Sequence, residues 1–240
     1  MESLHFLHIT HRDIKPANVI LDNNNYPLLT DLGISKEFDT YSDGPSSVVG
    51  TPEYEAPEVL NGTVTNDNCF SADVFSYSYI MYYIISGKEP YEDLKRKYKH
   101  KPIYLAQLYK RFLKNNRFDL PDNLFPSYFK QLISLLWEND PKKRPTFGEI
   151  VSLFDSGIAL PFSNDNELNE YLKYRESLGA PKFLNEKNLI HKMNELKKRN
   201  QSQLADVITF YLADHFNNSD AETELGKEYT CGHFFEIDRG

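Results

Sequence analysis

Residues 11–18 form a short polar segment that carries the side chains best suited to chemistry in this sequence. Asp13 offers a carboxylate, Lys15 an ammonium group and Asn18 a carboxamide, on a stretch too short to be anything but a loop. Asp31 supplies a further carboxylate downstream. Side chains of these types could neutralise negative charge and hold an attacking hydroxyl group in line. The amide and carboxylate oxygens are also suitable ligands for Mg²⁺.

The segment between Asn18 and Asp31 predicts how these two side chains converge. Residues 19–21 are apolar and predict a short strand, residues 22–25 predict a turn, and residues 26–30 predict a returning strand. Such a hairpin brings Asp31 back beside Asn18. Taken singly, each carboxylate would be read as a solvated loop acid.

Three further motifs follow the polar loop in a fixed order. They are Asp31-Leu32-Gly33, then Gly50-Thr51-Pro52-Glu53-Tyr54, then Ala56-Pro57-Glu58. The ordered set resembles the catalytic half of a eukaryotic protein kinase of the serine/threonine type, over about residues 1–160. The resemblance implies a mainly α fold of the α+β kinase type, in which a large C-terminal lobe carries a small β hairpin at the site.

The resemblance also implies roles for single residues. Asp13 would orient the substrate hydroxyl and accept its proton, and Lys15 would counter charge on the phosphoryl oxygens. Asn18 and Asp31 would hold Mg²⁺. Lys15, Asn18, Ile20 and Asp31 would line the site of ATP.

Substrate class and regulation follow from the same resemblance. Lys15 and Thr51 stand where serine/threonine kinases carry these residues, and Thr51 would lie beside the residue that follows the phosphoacceptor. Arg12 stands where kinases with a phosphate-ordered activation loop carry arginine, and Ser47 lies at the usual place for that phosphate. The alternative is a serine-rich loop that is never modified. Leu32 replaces the commoner phenylalanine, and we expect it to pack in the same way.

Three residues are expected to support the site. Asp73 precedes an apolar run, and in the resembled family the aspartate there accepts hydrogen bonds from the backbone of the catalytic loop. On its own it would be read as an acid in the first turn of a helix. The resemblance also pairs Arg144 with Glu58.

Only twelve residues precede Asp13, whereas the resembled family carries a nucleotide-covering lobe upstream of this point. That lobe supplies a glycine-rich loop, a strand lysine and its glutamate partner, and no Gly-x-Gly occurs in this sequence. We therefore expect the N-terminal lobe to be absent. On that expectation the 240-residue chain is truncated. It would be inactive alone and would bind Mg-ATP weakly or not at all.

Beyond residue 160 the composition changes. Apolar residues recur at helical spacing over residues 189–196 and 204–212 and predict amphipathic helices in a linker that spans residues 161–215. Residues 216–240 resemble the start of a Sel1-like repeat, a helix-turn-helix unit. The residues that carry this resemblance are Asp220-Ala221, Leu225-Gly226, Tyr229, Gly232 and Asp238. It implies protein partners that bind through helical repeats, whereas the alternative is an ordinary terminal helix and turn.

Composition and charge narrow the class of partner. The net charge of −8 offers no general footprint for nucleic acid. The longest apolar stretch, residues 74–85, is shorter than the roughly 20 residues that cross a bilayer. Two cysteines make no disulfide framework and favour a reducing compartment. We therefore expect a cytoplasmic protein with protein substrates and neither nucleic-acid nor membrane partners.

Three interpretations of the whole sequence stay open. The first is a serine/threonine kinase that transfers the γ-phosphoryl group of ATP to protein hydroxyls, and the intact polar set at positions 13, 15, 18 and 31 favours it. The second is a non-catalytic kinase-like scaffold that acts through protein–protein interaction. The third is an unproductive gene fragment.

Overall fold

The computed structural model describes residues 1–37, 50–114, 116–117, 119–158, 165–177, 179 and 183–216. Helices dominate these residues, and strands form only two short antiparallel ladders. The mainly helical fold with a small hairpin that the sequence predicts is therefore confirmed. Within the same residues, no helix is long and apolar enough to cross a membrane.

The N-terminal segment contains all four strands of this part of the chain. After helix α1 (Glu2–Phe6) come β1 (Ile9–Thr10), β2 (Val19–Leu21), β3 (Pro27–Leu29) and β4 (Lys36–Glu37). β2 and β3 form the predicted hairpin, with Val19 opposite Leu29. β1 pairs with β4 in a second ladder that the sequence did not predict.

The turn between β2 and β3 is stabilised by one side chain. The carboxylate of Asp22 accepts hydrogen bonds from the backbone N–H groups of Asn24 and Tyr26, both at 2.8 Å. Asn25 has a positive φ of 64°, a conformation that asparagine tolerates better than most residues. The polar run between the strands thus folds into the turn that its composition predicts.

The rest of the described chain is helical. The helices are α2 (Pro57–Leu60), α3 (Cys69–Ser86), α4 (Glu92–Lys97), α5 (Lys101–Leu113), α6 (Ser127–Leu136), α7 (Phe147–Asp155), α8 (Asp165–Ser177), α9 (Glu186–Lys198) and α10 (Ser202–Phe216). Helix α3 thus begins at Cys69 and helix α5 at Lys101. Helix α5 accommodates Pro102 in its first turn, because the N–H group that proline lacks would have no partner within the helix there.

The chain divides into two compact units. The first comprises residues 1–124 and 133–150, and the second comprises residues 125–132 and the chain from residue 151 onward. Helix α3 supplies much of the core of the first unit, because its residues 73–76 and 78–82 are all buried. Gly87 ends this helix in the left-handed conformation with φ of 64°.

An aromatic cluster packs around α3 in the first unit. The ring of Phe75 lies 5.3 Å from that of Tyr79 and 5.7 Å from that of Phe112. Tyr91 packs on Phe112, and its hydroxyl lies 3.0 Å from the hydroxyl of Tyr79. Trp137, the only tryptophan of the sequence, is buried, and its ring lies 6.4 Å from that of Tyr79.

Helices α9 and α10 pack on each other in the second unit. Leu189 and Met193 of α9 are buried, as are Leu204 and Ile208 of α10. The hydroxyl of Thr209 lies 3.1 Å from the sulfur of Met193. The amphipathic spacing of this part of the sequence therefore gives the two helices that it predicts.

A buried ion pair joins α2 to the segment that precedes α7. Arg144 donates two hydrogen bonds to the carboxylate of Glu58, at 2.6 and 2.9 Å. It also donates to the carbonyl oxygens of Ser71 and Glu138, and its guanidinium lies 4.9 Å from the ring of Phe75. This is the contact that the resemblance led us to expect, and all its polar groups are satisfied inside the protein.

We predict that Arg144→Ala lowers the free energy of unfolding by about 3–5 kcal/mol, because it leaves the carboxylate of Glu58 buried without its partner. Chemical denaturation measures this change. Arg96→Ala is the matched control, since Arg96 forms an exposed pair with Glu92 that contributes about 1 kcal/mol or less. Equal small losses from both variants would contradict a stabilising role for the buried pair.

Candidate active site

The carboxylate of Asp73 holds the start of the polar loop. One of its oxygens accepts a hydrogen bond from the backbone N–H of His11 at 2.8 Å, and the other accepts one from that of Arg12 at 2.9 Å. A ring nitrogen of His5 lies 3.0 Å from the same carboxylate. The aspartate is buried, and its contacts connect α3 to α1 and to the loop. Its contacts with the loop backbone are the expected ones, whereas no pattern in the sequence indicates the contact with His5.

His11 links the loop to the end of the hairpin. Its Nδ1 accepts a hydrogen bond from the backbone N–H of Asp13, and its Nε2 lies 3.0 Å from the carbonyl oxygen of Thr30. A carbonyl oxygen only accepts, so this network assigns the ring proton to Nε2. The buried imidazole therefore serves as a structural bridge.

Arg12 adopts a backbone conformation that needs external support. Its φ of 71° lies in the left-handed region, which is uncommon for residues other than glycine. The hydrogen bond from its N–H to Asp73 holds that conformation, and its guanidinium donates to the carbonyl oxygen of Ile34 at 3.4 Å. Because the backbone turns here, the next residue, Asp13, faces the site.

Four of the predicted site residues form one hydrogen-bonded cluster. The ammonium group of Lys15 lies 2.6 Å from a carboxylate oxygen of Asp13, and the amide nitrogen of Asn18 donates to that oxygen at 3.0 Å. The hydroxyl of Thr51 donates to the other oxygen of Asp13 at 3.0 Å and accepts from Lys15 at 2.8 Å. The structure thus brings together residues that are up to 38 positions apart in the sequence.

The cluster controls the charge of Asp13. Burial alone would raise the pKa of this carboxyl group, but hydrogen bonds from Lys15, Thr51 and Asn18 and the charge of Lys15 together lower it. Asp13 is therefore ionised at neutral pH. An ionised carboxylate can accept a hydrogen bond from an incoming hydroxyl group and thereby orient it.

The hairpin brings the residue before Asp31 to Asn18. Thr30 donates from its backbone N–H and from its hydroxyl to the carbonyl oxygen of Asn18, at 2.9 and 3.2 Å. Asp31 is exposed, and in the described chain it bonds to the N–H of Gly33 rather than to the cluster around Asp13. Since Asn18 uses its amide nitrogen on Asp13, its amide oxygen stays available to a ligand. The donor set of amide and carboxylate oxygens fits Mg²⁺.

Two apolar residues of this region are about half exposed. Ile20 on β2 is about half exposed. Leu32 is 51% exposed, so the prediction that it packs like the commoner phenylalanine is wrong within the described part of the protein. Ser47 and residues 217–240, which carry the motif of the Sel1-like repeat, lie outside the described residues.

Sequence reasoning missed Glu55. This side chain is only 4% exposed, and neither carboxylate oxygen has a hydrogen-bond partner in the part of the chain that the structure describes. Burial, with the charges of Asp13 and Glu53, raises its pKa to about 8. A glutamate between the two motifs at residues 50–54 and 56–58 reads as a solvated acid, so no sequence signal could have identified it.

Comparison with known proteins finds similar sequences over the part of the chain that carries this site. A family model described as the protein kinase domain matches residues 1–153. A probable serine/threonine-protein kinase of Dictyostelium discoideum is 35% identical over 152 residues, which cover 63% of this chain and 10% of that protein. The dual specificity protein kinase shkB of the same organism is 36% identical over 62% of this chain and 22% of its own length.

A serine/threonine-protein kinase of Saccharomyces cerevisiae, PKH1, is similar in the same region. It is 33% identical over 165 residues, which cover 62% of this chain and 20% of the yeast protein. The chain thus spans between about a tenth and about a fifth of the length of these three relatives.

We predict that Glu55→Gln changes how stability depends on pH. The unfolded chain ionises Glu55 near its ordinary pKa of 4.5, whereas the folded chain keeps the proton up to about 8. The stability of the wild type therefore falls between these values as the pH rises, because ionisation favours the unfolded state. Between about pH 5 and pH 8, the free energy of unfolding of the variant should rise by more than about 1 kcal/mol relative to the wild type.

Urea denaturation at several pH values measures this difference. Glu92→Gln makes the same chemical change at a side chain of α4 that is 45% exposed, and it serves as the control. Parallel stability curves for the wild type and Glu55→Gln would contradict the raised pKa.

Proposed function

This chain belongs to the protein kinase family, and on that premise we propose that it works as a serine/threonine kinase. In this function the γ-phosphoryl group of ATP moves to a serine or threonine hydroxyl of a protein substrate. The observation that carries the proposal is the hydrogen-bonded cluster of Asp13, Lys15, Asn18 and Thr51.

Asp13 orients the acceptor hydroxyl in this proposal. Its carboxylate is ionised, and Thr51 and Asn18 hold its two oxygens in a fixed orientation. The hydroxyl of the substrate donates its hydrogen bond to Asp13 and gives up its proton as the phosphoryl group arrives. Lys15, whose ammonium group lies beside the same carboxylate, neutralises charge on the moving phosphoryl oxygens.

Asn18 and Asp31 are the proposed ligands of Mg²⁺, and Lys15, Asn18, Ile20 and Asp31 are the proposed contacts of ATP. The amide oxygen of Asn18 and the exposed carboxylate of Asp31 support this assignment, because both are hard oxygen donors. When bound, Mg²⁺ supplies positive charge that neutralises the phosphate oxygens.

Specificity for serine and threonine rests on Lys15 and Thr51. The 2.8 Å hydrogen bond between them supports a joint role beside the acceptor hydroxyl. One relative is named a dual specificity kinase, so peptides that present tyrosine belong in the test.

A phosphotransfer assay tests the proposal. The assay uses protein that contains this chain together with any segment encoded upstream of Met1, and serine, threonine and tyrosine peptides as acceptors. We expect Asp13→Asn to lower the rate of transfer by about 100-fold or more, because it removes the group that accepts the proton. Asp93→Asn, an exposed acid on α4, should leave the rate unchanged.

Equal rates for the wild type and Asp13→Asn, in folded protein, would contradict a catalytic role. A non-catalytic kinase-like scaffold would then be the better proposal.

We further propose that a phosphate on Ser47 pairs with Arg12 and orders the activation loop. The proposal rests on the position of Ser47 in the sequence and on the positive charge of Arg12 next to Asp13. We expect phosphopeptide mapping to find phosphate at Ser47 in protein that is active, and Ser47→Ala to lower activity. Active protein without phosphate at this residue would contradict the idea.

The wider organisation stays a prediction from the sequence. It comprises a kinase C-terminal lobe in residues 1–160, a helical linker in residues 161–215 and a partial Sel1-like repeat in residues 216–240. Protein partners that bind through this repeat and a cytoplasmic location belong to the same set of proposals. The amphipathic helices α9 and α10 support the helical character of the linker.

A further inference from the structure

Glu55 differs from the other buried acids of the first unit in having no partner. Asp13 is bonded within its cluster, Asp73 accepts from the loop backbone, Glu58 pairs with arginine, and Glu53 lies 3.2 Å from a lysine nitrogen. Neither oxygen of Glu55 has a hydrogen-bond partner among the residues that the structure describes. Burying a carboxyl group without a hydrogen-bond partner costs folding free energy, so its presence here requires a physical explanation.

The backbone at Gly50 shows where this carboxylate lies. A Cβ atom built on Gly50 would be 2.8 Å from a carboxylate oxygen of Glu55 and 2.8 Å from the carbonyl oxygen of Arg12. The same point is 3.5 Å from a carboxylate oxygen of Asp13. Gly50 is exposed and has a φ of 115°, so this position adds no side chain beside Glu55 in the described part of the chain, although the carboxylate oxygens of Glu55 are themselves buried.

The chemistry of this point favours an organic cation over a metal ion. A carboxylate oxygen of Glu55 and the carbonyl oxygen of Arg12 both lie close to Gly50, so this part of the loop holds two hydrogen-bond acceptors side by side. The nearest other carboxylate, that of Asp13, already accepts from Lys15, Asn18 and Thr51. Within the described ranges, no group of three or more His, Cys, Asp or Glu could hold a metal ion. An ammonium or guanidinium group needs only acceptors for its N–H donors.

We propose that Glu55 determines substrate specificity by binding a lysine or arginine side chain that adjoins the phosphoacceptor. The inference rests on the proposed function, because that function places the acceptor hydroxyl at Asp13. A group bound at Gly50 lies next to that hydroxyl. The incoming side chain supplies the hydrogen-bond partner that the buried carboxyl group lacks. The negative charges of Glu53 and Asp13 strengthen its attraction, whereas the positive charges of Arg12 and Lys101 oppose it.

Peptide binding without ATP tests the inference apart from catalysis. The probes are serine peptides of one sequence in which the residue before or after the serine is arginine, lysine or leucine. Fluorescence anisotropy measures their affinity for the full chain. We expect a basic residue on one side to raise the affinity about tenfold or more over leucine, the lower range for close charge pairs across an interface.

Glu55→Gln is the decisive variant, because it removes the charge and keeps the shape of the side chain. We expect it to abolish the difference in affinity between basic and leucine peptides, whereas Glu92→Gln, at a side chain of α4 that is 45% exposed, should preserve that difference. The inference is wrong if the wild type shows no preference on either side of the serine, or if Glu55→Gln retains the preference.

Calorimetry of the wild type gives a second readout that needs no variant. Glu55 holds a proton at neutral pH in the free protein, since its pKa is raised to about 8. Binding of a basic peptide should expel about one proton at pH 7, seen as a heat that depends on the buffer, and the leucine peptide should expel none. Equal proton release by both peptides would overturn the inference. Absence of phosphotransfer alongside a preference abolished by Glu55→Gln would instead contradict the proposed function and leave the binding subsite standing.

Discussion

The hydrogen bonds of Asp73 are the interaction on which the site depends. One buried carboxylate on α3 accepts from two successive backbone N–H groups, those of His11 and Arg12, and so holds the loop where its backbone enters the left-handed region. Asp13 follows at once, and its orientation depends on that turn of the backbone. Helix α3 is a firm support because so much of its surface is buried in the first unit. A strained loop persists only when its surroundings hold it from several directions, and Asp73 with His11 provides that hold.

The sequence predicts much of this arrangement for physical reasons that particular residues show. The Asp and Asn run at residues 22–25 could hardly form anything but a turn, and the apolar residues on both sides then had to pair, which sets Thr30 beside Asn18. The apolar run after Asp73 is long enough for only one buried helix. Arg144 and Glu58 were paired by resemblance, and the structure gives that pair the two-pronged geometry of an arginine–carboxylate contact.

Other features had no signal in the sequence. β1 and β4 have two residues each, too few for an alternating pattern, and their pairing depends on the path of the chain around the loop. His5 bonds to a carboxylate 68 positions away, a contact set by tertiary packing alone. The burial of Glu55 likewise arises only when the segment after Gly50 folds against the catalytic loop. Polarity in the sequence predicts exposure, and it misleads where a polar side chain is buried for a ligand.

The position of Trp137 has a spectroscopic consequence. As the only indole, buried beside Tyr79 of α3, it makes tryptophan emission, excited selectively over that of tyrosine, a reporter of the first unit alone. The pair of helices α9 and α10 contributes to far-ultraviolet circular dichroism without contributing any indole signal. Unfolding followed by both probes therefore separates the two units: coincident transitions mean that they melt cooperatively, and displaced transitions mean that each melts independently.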